Sequence, residues 1–189
     1  MASSFLRKLL GACWFVMTVL MASCSVPLPN SIAGGITVAN HQSSLPDPGA
    51  QFTDQAKHAL GLALREAGIS QSERVGVEHV LLGLLGINEG GARPVLESLG
   101  VSIDDLISET KAAVAVGHGS PPDLPLTPEV KEAFEASIRE AQLLHSTHLG
   151  TEHILLGLLG GTNGVSTILE RRGVNLALAR AEVIRQAGH

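Results

Sequence analysis

Two eleven-residue stretches, GVEHVLLGLLG (Gly76–Gly86) and GTEHILLGLLG (Gly150–Gly160), differ only at Val77/Thr151 and Val80/Ile154. A segment that is apolar nearly all round must be buried on every side, so two of them demand a core built on a pair of equivalent helices. The repeat extends well beyond the eleven letters, at a period of 74 residues from Gly76 to Gly150. Thr53 answers to Thr127, Lys57 to Lys131, and Arg65-Glu66-Ala67 to Arg139-Glu140-Ala141. LESLGV (Leu96–Val101) returns as LERRGV (Leu169–Val174) with one residue deleted between.

Each copy divides into four short helices. The first is predicted from about Thr53 to Ala67, with Ala56, Ala59, Leu60, Ala63 and Ala67 on one face. Its counterpart carries Val130, Phe134, Ile138 and Ala141 and starts at Thr127-Pro128, a capping hydroxyl followed by proline at the first helical position. The quoted run is the second helix. Third helices are predicted near Ala92–Leu99 and Val165–Arg172, ending at Gly100 and Gly173. Fourth helices follow the caps Ser102 and Asn175. Aromatics make up 3% of the chain and Tyr is absent, so Leu, Ile, Val and Ala must fill the core, which favours helices over a β-sandwich. The expected fold is all-α: two tandem four-helix repeats, 52–114 and 127–187, packed as one pseudo-twofold domain over 52–189, with 115–126 as the linker. Units of about 60 residues bury too little surface to stand comfortably alone. Phe52, before the first helix, is expected to staple the start of that helix, the alternative being that it faces a hydrophobic peptide or partner helix.

The first 24 residues have a basic start (Arg7, Lys8), an apolar run from Leu9 to Ala22, and small residues ending at Cys24, the anatomy of an export signal. LMASC resembles a bacterial lipobox, in which Cys24 would be lipidated, although Met21 stands where Leu or Val is usual. An ordinary signal, an uncleaved anchor, or a true start at Met17 or Met21 are the alternatives. Residues 25–51, rich in Pro, Ser, Gly and Asn, read as a flexible tether. Both cysteines lie in the first 24 residues, so the remainder has no thiolate for a disulfide or a metal. Beyond residue 24 there are 11 basic and 18 acidic residues, a balance that argues against nucleic acid.

From Phe52 to Gln186 the chain resembles the double-repeat N-terminal domain of Clp unfoldases, above all the ClpC type. The carriers are F-T-x-x-A-K (Phe52–Lys57), T-P-x-x-K (Thr127–Lys131), G-x-E-H-[VI]-L-L-G-L-L in both copies, and the L-G-V and R-G-V turns. The resemblance implies the double-repeat helical fold and a role in receiving protein substrates and adaptors. The ATPase modules of such proteins need G-x-x-x-x-G-K-[ST], which does not occur in this sequence. No cofactor is expected.

The resemblance further implies a phosphoarginine receptor in each repeat, a threonine holding the phosphate and the glutamate of the E-H motif holding the guanidinium. The pairs expected from the motif are Thr53 with Glu78 and Thr127 with Glu152. Helix N-termini favour anions, and a carboxylate is a two-point partner for guanidinium. Equally, the threonines would cap any helix, and the glutamates suit any first turn. Two residues after each threonine stand Gln55 and Glu129. Glu129 would repel a phosphate, with Lys57 and Lys131 one turn further on as partial compensation, so copy one is the expected site. Val77 replaces Thr151 in copy one and is read there as a lost hydroxyl cap.

His145, His148 and His153 cluster near Glu152, but their spacing fits no familiar zinc pattern and there is no H-E-x-x-H, so no metal is expected. No catalytic constellation is legible. Three readings remain: a regulatory or decoy module for a Clp ATPase system inside the cell, an exported lipoprotein binding an extracytoplasmic peptide, or an enzyme whose site the sequence does not display.

Overall fold

The computed structural model describes residues 51–188, apart from 118 and 120–123. The expectations for residues 1–50, including the signal, Cys24 and most of the tether, lie outside the described residues. Eight helices are present among the described residues: α1 (Asp54–Ile69), α2 (Val77–Leu85), α3 (Ala92–Ser98), α4 (Ile103–Ala113), α5 (Pro128–Leu143), α6 (Thr151–Leu159), α7 (Gly164–Arg171) and α8 (Leu176–Ala187). None is long and apolar enough to cross a membrane.

Local chemistry sets the helix ends much as the sequence reading expects. Thr53 Oγ1 accepts the Ala56 N–H (3.1 Å), and Asn175 accepts that of Leu178 (3.0 Å). Gly100 (φ +82°) and Gly173 (φ +80°) close α3 and α7 in left-handed turns. The N–H of the following valine returns to the carbonyl of Leu96 in one copy and of Leu169 in the other, at 3.0 Å in both.

Every residue of α2 except Glu78, and of α6 except Glu152, is buried. α1 packs along α2, α5 along α6, and the two central helices also meet each other. The close approach depends on glycine. A Cβ at Gly83 would lie 2.2 Å from Ala59 O, and one at Gly157 2.2 Å from Ala133 O. The halves interlock: α3 packs on α6 and α8, while α7 packs on α2 and α4. Across the seam, Arg172 grips Glu109 through two nitrogens (2.9 and 2.7 Å).

Two short parallel pairings were not foreseen. β1 (Gln51–Phe52) runs beside β2 (His148–Leu149), and Val75 bridges Leu126. Each joins the strand-like approach to one copy's first helix with the approach to the other copy's second. Gln51, the last residue of the expected tether, is therefore already paired. Phe52 packs edge-on against Phe134 of α5, ring centroids 6.3 Å apart, so it joins the two copies.

Candidate functional site

The parallel pairings decide which candidate residues are neighbours. Thr53 N donates to Leu149 O (3.0 Å), three residues before Glu152; Thr127 N donates to Val75 O (3.0 Å), three residues before Glu78. The threonine of each copy therefore stands beside the glutamate of the other. Within a copy the two are at opposite ends of a long helix. His79 Nε2 meets Ser70, the C-terminal cap of α1, at 3.0 Å, while Thr53 caps the N-terminus. The 16 residues between them span about 24 Å, too far for one modified side chain to bridge. The pairs the fold brings together are Thr53 with Glu152 and Thr127 with Glu78.

The glutamates are held where two helix ends meet. A Cβ at Gly150 would come within 2.1 Å of Glu152 Oε1, and one at Gly91, the cap of α3, within 2.5 Å of Oε2. Glu78 is wedged likewise between Gly76 and Gly164, each added Cβ meeting it at 2.9 Å. Burial raises the Glu152 carboxyl. Its own backbone N–H and the Thr151 hydroxyl act against that and favour the ionised carboxylate.

Each helix has a cap that the sequence reading missed. Gly76 N donates to His79 Nδ1 and Gly150 N to His153 Nδ1, both at 3.0 Å. Histidine thus plays the part usually given to glutamate or glutamine at the third position of a capping box. Its recurrence three residues after glycine was the available signal. One nitrogen cannot accept from Gly150 and donate to Glu152 Oε1, 3.2 Å away, at the same time. Both copies share the acceptor role, so the neutral ring carries its proton on Nε2. Burial lowers the pKa of His79, against smaller opposite effects of Glu78 and Glu66. The Thr151 hydroxyl accepts the Ala92 N–H of α3 (3.2 Å) and does not cap α6, so Val77 has lost a contact between copies, not a cap.

The threonine ends differ in charge. Asp54 is engaged by Lys57 at 3.1 Å. Glu129 is held below its usual range by its own backbone N–H and then by the Thr127 hydroxyl, with Arg74 adding a smaller pull and burial opposing. Its carboxylate therefore already uses donors that an anion at the start of α5 would need. Among the described residues no three His, Cys, Asp or Glu side chains gather into a metal cage. His148 Nδ1 pairs with the Thr147 hydroxyl at 2.8 Å, at the exposed start of β2.

The pattern of the Clp repeat (R) N-terminal domain matches residues 51–185. The chain belongs to that family. It is 36% identical over 140 residues to the ATP-dependent Clp protease ATP-binding subunit ClpC of Staphylococcus aureus (strain USA300), covering 74% of this chain and 17% of the relative. Among solved structures, the N-domain of ClpV from Vibrio cholerae is similar at a TM-score of 0.62 and 19% identity, covering 77% of this chain and 96% of that one. A ClpV N-domain in complex with VipB peptide is similar at 0.59 and 20% identity, covering 71% and 88%. These structures support the fold. This Clp N-domain spans about a sixth of the curated relative's length.

Proposed function

We propose that this Clp N-domain is a receptor that holds polypeptide guests or adaptor proteins without altering them, and that it reads a phosphoarginine-type mark at the Thr53–Glu152 pair. The carrying observation is that Glu152 and Glu78 are the only residues of two otherwise buried helices left accessible, each beside the start of a 16-residue helix from the other copy. A phosphate at the α1 start and a guanidinium at Glu152 complement that pairing. Glu129 keeps the Thr127–Glu78 pair from doing the same. Similarity to an N-domain that accepts a peptide supports a peptide-binding role; the partner is a Clp ATPase if the domain stands inside the cell and an extracytoplasmic peptide or protein if it is exported.

Calorimetry with free phosphoarginine tests the mark. One equivalent should bind, Glu152→Ala should abolish it, Glu78→Ala should leave it, and Glu129→Gln should open a second equivalent. Equal losses from both alanine variants, or an inert parent, defeat the reading. The sequence of residues 1–24 favours an exported, lipid-anchored protein, its basic residues preceding the apolar run. Fatty-acid labelling that persists in Cys24→Ala would remove Cys24 as the lipid site, and protection from protease by an intact membrane would place the domain with the cell's own Clp machinery.

A further inference from the structure

Glu152 and the histidine that follows it make a contact that one ring nitrogen cannot satisfy in both directions. His153 Nδ1 lies 3.0 Å from Gly150 N and 3.2 Å from Glu152 Oε1. As a neutral ring it accepts the Gly150 N–H and turns a lone pair toward the carboxylate, which repels it. With a proton on Nδ1 it donates to Oε1 and gives up Gly150. The nitrogen therefore has two exclusive partners, and a single proton selects between them. The His153 side chain is 5% exposed and that of Glu152 25%, so solvent screens the contact little.

Copy one lacks the second partner. His79 Nδ1 accepts the Gly76 N–H at the same 3.0 Å. Glu78 makes no ion pair with His79 among the described residues; it lies between Gly76 and Gly164, where each added Cβ would meet one of its oxygens at 2.9 Å. His79 Nε2 is engaged by Ser70 and Ser72. Burial also opposes its protonation. The same motif residue is thus a fixed cap in one copy and a two-way contact in the other.

The other charged groups on the elements around His153 are already matched. On α5, Glu140 is clasped by Arg180; on α8, Glu182 is clasped by Arg185; at the start of α1, Asp54 is engaged by Lys57. From α3 the neighbours are Gly91 and Val95, which carry no charge. His145 and His148 stand exposed on the turn after α5 and at β2. Glu152 is therefore the one carboxylate in contact with this imidazole.

We propose that His153 is a proton-operated gate on Glu152: the neutral ring leaves the carboxylate free for a guest's guanidinium, and the protonated ring moves its Nδ1 contact from Gly150 to Oε1 and displaces the guest. The exclusion is twofold. The Thr151 hydroxyl stands 3.4 Å from Oε2, so a donor on Oε1 leaves neither oxygen for a two-point cation. An imidazolium also sets positive charge beside the guanidinium. By linkage, guest and proton weaken each other by the same factor, so binding releases a proton and acid releases the guest. The displacement of a guest rests on the receptor reading; the exchange of partners at Nδ1 belongs to the free protein and does not.

The test has two arms, both on the whole chain. Without ligand, an NMR titration from about pH 8 to about pH 5.5, the range in which imidazoles change charge, should move the Gly150 amide and the His153 ring with one midpoint. The Gly76 amide should follow only at lower pH, and Glu152→Gln should lower the His153 midpoint by removing the charge that favours the imidazolium. With phosphoarginine, calorimetry should give an affinity about tenfold weaker at the acid end than at the alkaline end, and a binding heat that varies with the ionisation enthalpy of the buffer. His153→Gln, which keeps a capping acceptor for Gly150 N, should bind equally at both ends of the range, whatever its affinity. A Gly150 amide that ignores the His153 titration, or a tenfold ratio that survives His153→Gln, overturns the gate. Phosphoarginine that binds without regard to pH loses the gate and keeps the mark. Phosphoarginine that fails to bind while the amides behave as stated loses the mark and keeps the exchange of partners at His153.

Discussion

The two copies of the repeat are alike where the fold demands it and different where only a neighbour decides. Both central helices carry a glycine against the first helix of their own copy and a histidine that caps their own start. Around that shared frame the polar surroundings diverge. In copy one, His79 is sealed by Ser70 and Ser72, and the linker lies over the turn after α1. In copy two, His153 stands against the Glu152 carboxylate, and Ser146 has turned away to donate to His148 O (2.7 Å). Glu140 is buried and clasped by Arg180 at 2.6 and 2.8 Å, whereas its counterpart Glu66 has Ile107 at the position matching Arg180. Duplication has preserved the steric requirements and released the polar ones.

The heaviest test of the shared frame is Gly83→Ala beside Gly157→Ala. Each should cost about 3 kcal/mol in urea unfolding, because the added carbon meets backbone that cannot step aside. If Gly157 alone tolerates alanine, the copies are not sterically equivalent and the comparison breaks. Next comes Arg180→Ala, which strands a buried carboxylate. With the arginine side chain about a third exposed, the expected loss is about 2 kcal/mol, and Glu66→Ala should cost clearly less. Ser72→Ala removes a partner of a buried imidazole and should cost about 1 kcal/mol, against less than about 0.5 for the exposed Ser146→Ala. Equal costs would mean that the sealing of His79 is not what distinguishes the turns.

Acid unfolding reads the smallest differences and separates the copies by pH. The folded pKa of His79 is depressed below 6.5, so the unfolded chain takes up the proton first. Its contribution is complete above 6.5 and is lost as pH falls through the lower folded value. His79→Asn keeps an acceptor for Gly76 N and should flatten that limb. Glu182 on α8 is held at about 2 by Arg185, then by Ser98 and Gln186. Its contribution is present above 4.5 and lost as pH falls toward about 2, and Glu182→Gln should remove only this lower limb. A single limb abolished by either variant would show that the copies do not titrate separately.

Much of the fold was legible because its signals are local. Caps such as Thr53, Asn175 and Pro128 act over three residues, and the turns at Gly100 and Gly173 over six, so a linear reading finds them. The residues of the candidate sites were legible for the same reason, as motif positions at helix starts. Their partnership was not. Thr53 and Glu152 lie 99 positions apart, and the motif period places Glu78 nearer in sequence while a 16-residue helix carries it away in space. Thr151 with Ala92, Phe52 with Phe134 and Arg180 with Glu140 escaped for the same cause.

By itself the sequence determined eight amphipathic or buried helices, their ends, and their twofold repetition, since these follow from side-chain periodicity and short-range hydrogen bonding. The tertiary structure alone decided which helix starts meet. Two short parallel pairings, Gln51–Phe52 with His148–Leu149 and Val75 with Leu126, cross the copies, because each approach segment satisfies its main-chain groups on the opposite repeat and not on its own.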